Sequence, residues 1–103
     1  MDLGNLGRLE ASASIIGSSG AAVVARGCTV ARTGTGVYTV TLGRDLDSAD
    51  SIALAIPRGS TANGNAAVAQ TSDSVKTVNT FVGVTATDLD VDVAIFRIAS
   101  GNF

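Results

Sequence analysis

The sequence predicts an all-β domain, an antiparallel β-sandwich or barrel of about seven or eight short strands with an extended N-terminal arm. Three observations predict it. Apolar residues recur at every second position in several short runs, the period of a half-buried strand. Clusters of Gly, Ser, Asn and Asp punctuate those runs as turns. No stretch carries an apolar stripe at helical spacing through three turns. At 103 residues the chain fits one domain, which buries roughly 60–70% of its unfolded surface and so forms one modest core. Residues 1–8 are assigned to the arm and residues 9–103 to a single β domain.

The arm is broken by Gly4 and Gly7 and carries Leu3 and Leu6, which belong to no alternating run. A tail of this kind is either frayed or docks its two leucines on an adjacent subunit. Leu9-Glu10-Ala11-Ser12-Ala13-Ser14-Ile15 alternates, with Leu9, Ala11, Ala13 and Ile15 expected inward. Gly17-Ser18-Ser19-Gly20 is a turn. Residues 21–25 are apolar on both faces, so this run is buried on both sides or lies at a contact. Ala21, Ala22 and Val23 are therefore candidate subunit contacts.

Cys28-Thr29-Val30-Ala31-Arg32 leads into Thr33-Gly34-Thr35-Gly36 and then Val37-Tyr38-Thr39-Val40-Thr41-Leu42. The glycine pair supplies the permissive backbone of a reversal, and the two flanking runs form a hairpin. Tyr38, Val40 and Leu42 share the face that enters the core. Residues 43–50 are polar, with Asp45, Asp47 and Asp50, and have room for one capped helical turn. Ser51-Ile52-Ala53-Leu54-Ala55-Ile56 has Ile52, Leu54 and Ile56 on one face and small residues on the other; Pro57 ends it. Residues 58–65 form the longest loop signal, residues 66–71 a weaker strand, and residues 72–74 a turn. Residues 75–82 alternate with mixed register, which predicts a bulge near Asn79. Residues 89–98 form the last strand, with Leu89, Val91, Val93 and Ile95 on one side and Phe96 and Ile98 on the other.

Composition excludes several function classes. There is no histidine, so serine and cysteine nucleophiles lack their usual base and imidazole metal sites are absent. Lys76, alone in a Val/Thr run, reads as a solvated face residue rather than as the base of a Ser–Lys pair. Gly34 and Gly36 are followed by a strand and by no Gly-Lys-Ser/Thr, so they cradle no phosphate. These readings predict no enzyme, no cofactor and no resident metal. The seven basic residues are scattered against nine acidic ones, which leaves no footprint for nucleic acid. No apolar run approaches a membrane span, and no secretory leader precedes the first strand. Cys28 is the sole cysteine; it reads as a small packed residue in a chain folded inside the cell.

Asp88, Asp90 and Asp92 form the strongest charge pattern and project from one face if the strand runs through them. Three readings compete. They are a solvated face that protects an edge, a contact with arginines of a neighbouring subunit, or a calcium site, for which they offer too few oxygens. All three aspartates are kept as candidate contacts.

Residues 32–42, Arg32-Thr33-Gly34-Thr35-Gly36-Val37-Tyr38-Thr39-Val40-Thr41-Leu42, resemble a Gly-x-Gly-x-Tyr-x-Val strand that recurs in bacteriophage tail-fibre, head-fibre and capsid-decoration modules. Val78-Asn79-Thr80-Phe81 and then Thr87-Asp88-Leu89-Asp90-Val91-Asp92-Val93-Ala94-Ile95-Phe96 are similar to the closing half of those modules, where an acidic turn leads into the last strand. Leu89 and Val91 stand where aromatics are usual. The resemblance implies a β-rich virion structural protein. The short chain, without a fibre shaft, suits a capsid cement or decoration protein that oligomerises on the shell as a homotrimer and bridges major capsid subunits. It would be made in the host cytoplasm and located on the virion, at the capsid surface. The alternative implied by the same motif is a tail-fibre or head-fibre module that binds host surface glycan.

Overall fold

The computed structural model describes residues 8–43, 51–58, 62–72 and 74–97. The described residues form nine strands and no helix: β1 (Arg8–Ile15), β2 (Ala22–Arg26), β3 (Cys28–Gly34), β4 (Val37–Leu42), β5 (Ser51–Pro57), β6 (Gly64–Gln70), β7 (Val75–Val82), β8 (Thr85–Ala86) and β9 (Val91–Arg97). They build two antiparallel sheets. Sheet A runs β2-β1-β9-β5; sheet B runs β3-β4-β7-β6, with the short β8 paired to β7. The architecture is a β-sandwich. The arm with Leu3 and Leu6, the polar segment 44–50 and Ile98 lie outside the described residues.

The core lies between the sheets. Ala11, Ala13 and Ile15 of β1 and Val91, Val93 and Ile95 of β9 face Tyr38, Val40 and Leu42 of β4 and Val78 of β7. These are the alternating sets that the strand period selects, and they include the expected core face of β4. The β3–β4 hairpin forms as expected, with Arg32 opposite Tyr38 and Val30 opposite Val40. Only Gly36 of its glycine pair takes the left-handed conformation, at φ 67°. A Cβ there would sit 2.6 Å from the Thr80 carbonyl oxygen, so backbone angle and space both demand glycine.

Four expectations are corrected. Leu9 does not enter the core. The register of β1 against β9 shifts between Leu9 and Ala11, and this bulge turns Leu9 to the outer face beside Phe96, leaving it 52% exposed. The bulge expected near Asn79 is absent, since β7 pairs in continuous register with both β4 and β6. Its mixed pattern arises instead because Lys76 and Thr80 share the inward face with Val78. Lys76 is therefore fully buried rather than solvated; its Nζ donates to the Ser72 carbonyl at 3.2 Å. Thr80 donates its hydroxyl to the Thr87 carbonyl, which satisfies a polar group that burial would otherwise penalise. The last strand begins at Val91 rather than Leu89, and Asp88 and Asp90 belong to the approach to it. Leu89 is nevertheless buried.

Candidate interaction surface

The Gly-x-Gly-x-Tyr stretch and the acidic approach to β9 are joined by one side chain. Asp88 receives Arg32 side-on, with Nε 3.1 Å and Nη2 2.9 Å from Oδ2. Its other oxygen accepts the Gly36 N–H at 2.7 Å. The Tyr38 hydroxyl, fully buried, donates to the Gly17 carbonyl at 2.8 Å and lies 3.2 Å from Asp88 Oδ1. Its single proton lies between two acceptors. The Arg32 guanidinium, then the Gly36 amide, hold the Asp88 carboxyl below its ordinary value. Arg32 is raised in turn, chiefly by its hydrogen bond to Asp88. Burial pushes the Tyr38 phenol up.

Asp90 and Asp92 are also partnered within the chain. Asp90 Oδ1 accepts the Gly17 N–H at 2.8 Å. Asp92 Oδ1 accepts the Ser14 hydroxyl at 2.8 Å and forms an ion pair with Arg58, whose Nε lies 2.9 Å away without its N–H aimed at the oxygen. Arg58 also donates through Nη2 to the Ile15 carbonyl at 2.8 Å. Gly17 is thus gripped from both sides, by Tyr38 of sheet B and by Asp90, and a Cβ on it would meet the Leu89 backbone at 2.5 Å. The three aspartates point to different partners. Among the described residues no group of three or more His, Cys, Asp or Glu is arranged to hold a metal ion. Asp92 keeps 48% of its side chain exposed, which leaves it accessible from outside.

Cys28 is half-buried, and its Sγ donates weakly to the Ser12 carbonyl at 3.6 Å. Burial pushes its thiol up, so the reactive thiolate is suppressed.

Apart from Val84 in the β7–β8 turn and Ile16 after β1, the exposed large apolar residues lie on sheet A. In β5 the small residues Ala53 and Ala55 face the core, while Ile52 (48%), Leu54 (49%) and Ile56 (64%) face solvent. Register extends this patch across the sheet: Ile52 lies opposite Phe96, which lies opposite Leu9, and Leu54 lies opposite Ala94. Such a contiguous apolar patch marks an interaction site in a folded protein more often than scattered single residues do. The β5 edge itself is not bare, because β5 lies beside β6 of sheet B and Gln70 donates to the Ser51 hydroxyl at 3.0 Å.

The second apolar surface is β2, at the opposite edge of sheet A. All five of its residues are exposed, as is Ala21, with Val23 at 63% and Val24 at 46%. The expectation that this run is buried on both sides is therefore corrected: it is exposed along its whole length. Ala21, Ala22 and Val23 stand together at this edge, far from Asp88, Asp90 and Asp92 in sequence but within the same sheet framework. The β5 patch was missed as a site because alternation tells which residues share a face and does not tell which face is inside.

No family model, no curated protein and no solved structure matches this chain. Its surfaces stand on their own.

Proposed function

We propose that this protein is a phage capsid cement or decoration protein, an assembly subunit without catalytic function that oligomerises, as a homotrimer, on the shell and bridges major capsid subunits. The observation that carries the reading is the inverted strand β5. It turns Ile52, Leu54 and Ile56 outward while its alanines face the core. A fold that keeps large aliphatics on one outer face needs a neighbour to cover them. Support also comes from the two stretches that resemble virion modules, since Asp88 of the acidic approach is bonded to Gly36 and lies against Tyr38 of the glycine–tyrosine strand.

Copy number tests the proposal. Quantitative mass spectrometry of particles from the encoding phage should find this protein in stoichiometry with the major capsid protein. A few copies confined to the tail would overturn it. Deleting residues 1–7 should leave the domain folded but weaken attachment to capsids; undiminished occupancy would remove the arm from the reading.

The second reading, a fibre module that binds glycan, is favoured by one feature of sheet B. Phe81 lies opposite Asn65, and Asn79 follows two residues along the same outward face. An aromatic face flanked by amides is the arrangement that sugar recognition uses. Under this reading Phe81→Ala abolishes binding to a glycan array, whereas the capsid reading predicts no glycan binding by the unaltered protein.

A further inference from the structure

Sheet A carries two apolar surfaces at opposite edges that no described residue covers, and their number and placement constrain how they are covered. We propose that copies of this chain associate head to tail, the β2 edge of one copy seated on the outer face of β5 in the next. The inference does not rest on the capsid reading, because it concerns contacts between copies wherever the protein resides.

The argument begins with symmetry. A two-fold contact uses the same patch on both copies. Pairing β5 with β5 leaves β2 bare, and pairing β2 with β2 leaves β5 bare; a dimer covers both only if β2 of each copy sits on β5 of the other at the same time. One contact that joins the two different surfaces covers both in every copy once the chain of contacts closes as a ring. The surfaces lie three strand spacings apart, about 14 Å across the sheet, so each copy can receive one neighbour and offer itself to another.

Area and charge agree with this arrangement. Leu9, Ile52, Leu54 and Ile56 each leave about half their surface bare, together on the order of 400 Å². That is about half of the roughly 800 Å² per partner in a standard interface, the share expected of an apolar centre inside a polar rim. Arg26 is the sole charge on β2. On the receiving face, half-exposed Asp92 shares a row with Ile56, and it offers Arg26 a carboxylate at the rim of the patch. Among the described residues the far edge of β2 pairs with no strand, and β2 carries neither a lysine nor a proline that would guard it.

The test uses two single variants of the full chain, Leu54→Lys on the receiving face and Val23→Lys on the edge, with mass read by light scattering after size exclusion. The unaltered protein should run as a ring of three or more copies of the 10.2 kDa chain; a dimer would identify the reciprocal two-fold contact and overturn the proposal. Each variant alone should run as a single chain, because each has lost one half of the only contact. A mixture of the two should form a one-to-one pair and stop there, since the intact edge of one fits the intact face of the other. Self-association retained by either variant alone would identify a two-fold contact and overturn the proposal. A monomeric unaltered protein would overturn it too. Circular dichroism checks folding; Ile56→Asn and Val24→Asn replace any variant that fails to fold. A monomer that still coats capsids sinks this inference alone, and an oligomer absent from particles sinks only the capsid reading.

Discussion

At the scale of single residues, Tyr38 and Asp88 tie three turns together. The phenol reaches the β1–β2 turn at Gly17, and the carboxylate reaches the β3–β4 turn at Gly36. Tyr38→Phe removes the donor and leaves a buried carbonyl without its partner, so it should cost about 1–3 kcal/mol in urea unfolding. Gly36→Ala should cost at least about 1 kcal/mol from the left-handed backbone alone, and more because its Cβ meets the Thr80 carbonyl. The pH dependence follows from the directions of shift. Asp88 titrates below its ordinary value of 3.8 in the folded state. Its contribution is therefore present above that value and is lost as pH falls through the folded value. Tyr38 titrates above its ordinary 10.0, so its contribution is present below that value and is lost as pH rises through the folded value. Unfolding midpoints measured against pH should show a plateau with an acid limb and an alkaline limb. Asp88→Asn should flatten the first and Tyr38→Phe the second.

At the scale of elements, β5 is the anomaly. An edge strand in a lone sandwich is expected to send its large side chains inward, where each fully buried aliphatic contributes about 1.5–3 kcal/mol. Here Ala53 and Ala55 face inward because their register sets them opposite Ile95 and Val93, the buried residues of β9. The consequence is a measurable asymmetry. Ala55→Leu should overpack the inner face and cost about 1–3 kcal/mol. Leu54→Ser, on the outer face, should change the stability of the isolated chain by no more than about 0.5 kcal/mol. Equal penalties in chemical denaturation would contradict the assigned orientation of the strand.

At the scale of the whole molecule, polar side chains tie the turns of the sandwich together while large aliphatics stay on its outer face. The aspartates that stood out as candidate contacts grip their own chain through Arg32, Gly17, Ser14 and Arg58. The aliphatic side chains of β5 stand outside while its alanines face the core. If copies associate as proposed, the chain should gain stability on assembly by mass action. Its melting temperature should rise with protein concentration in the unaltered chain and stay flat in Leu54→Lys; scanning calorimetry over a dilution series reads this directly.

The fold class, the hairpin around Gly36, the core face of β4 and the grouping of Val91, Val93 and Ile95 on one face of β9 are legible in the sequence alone. Each follows from a period of two interrupted by residues with special backbone freedom, which is local information. Tertiary structure decided the rest. Leu9 changes face through a bulge set by its pairing with β9, Lys76 is buried because β7 keeps its register between two neighbours, and Ile52, Leu54 and Ile56 face outward because register sets Ala53 and Ala55 opposite the buried residues of β9. Alternation divides a strand into two faces with equal authority on both sides. Which face is buried is decided by the sheet that packs against it, and that sheet comes from distant parts of the chain.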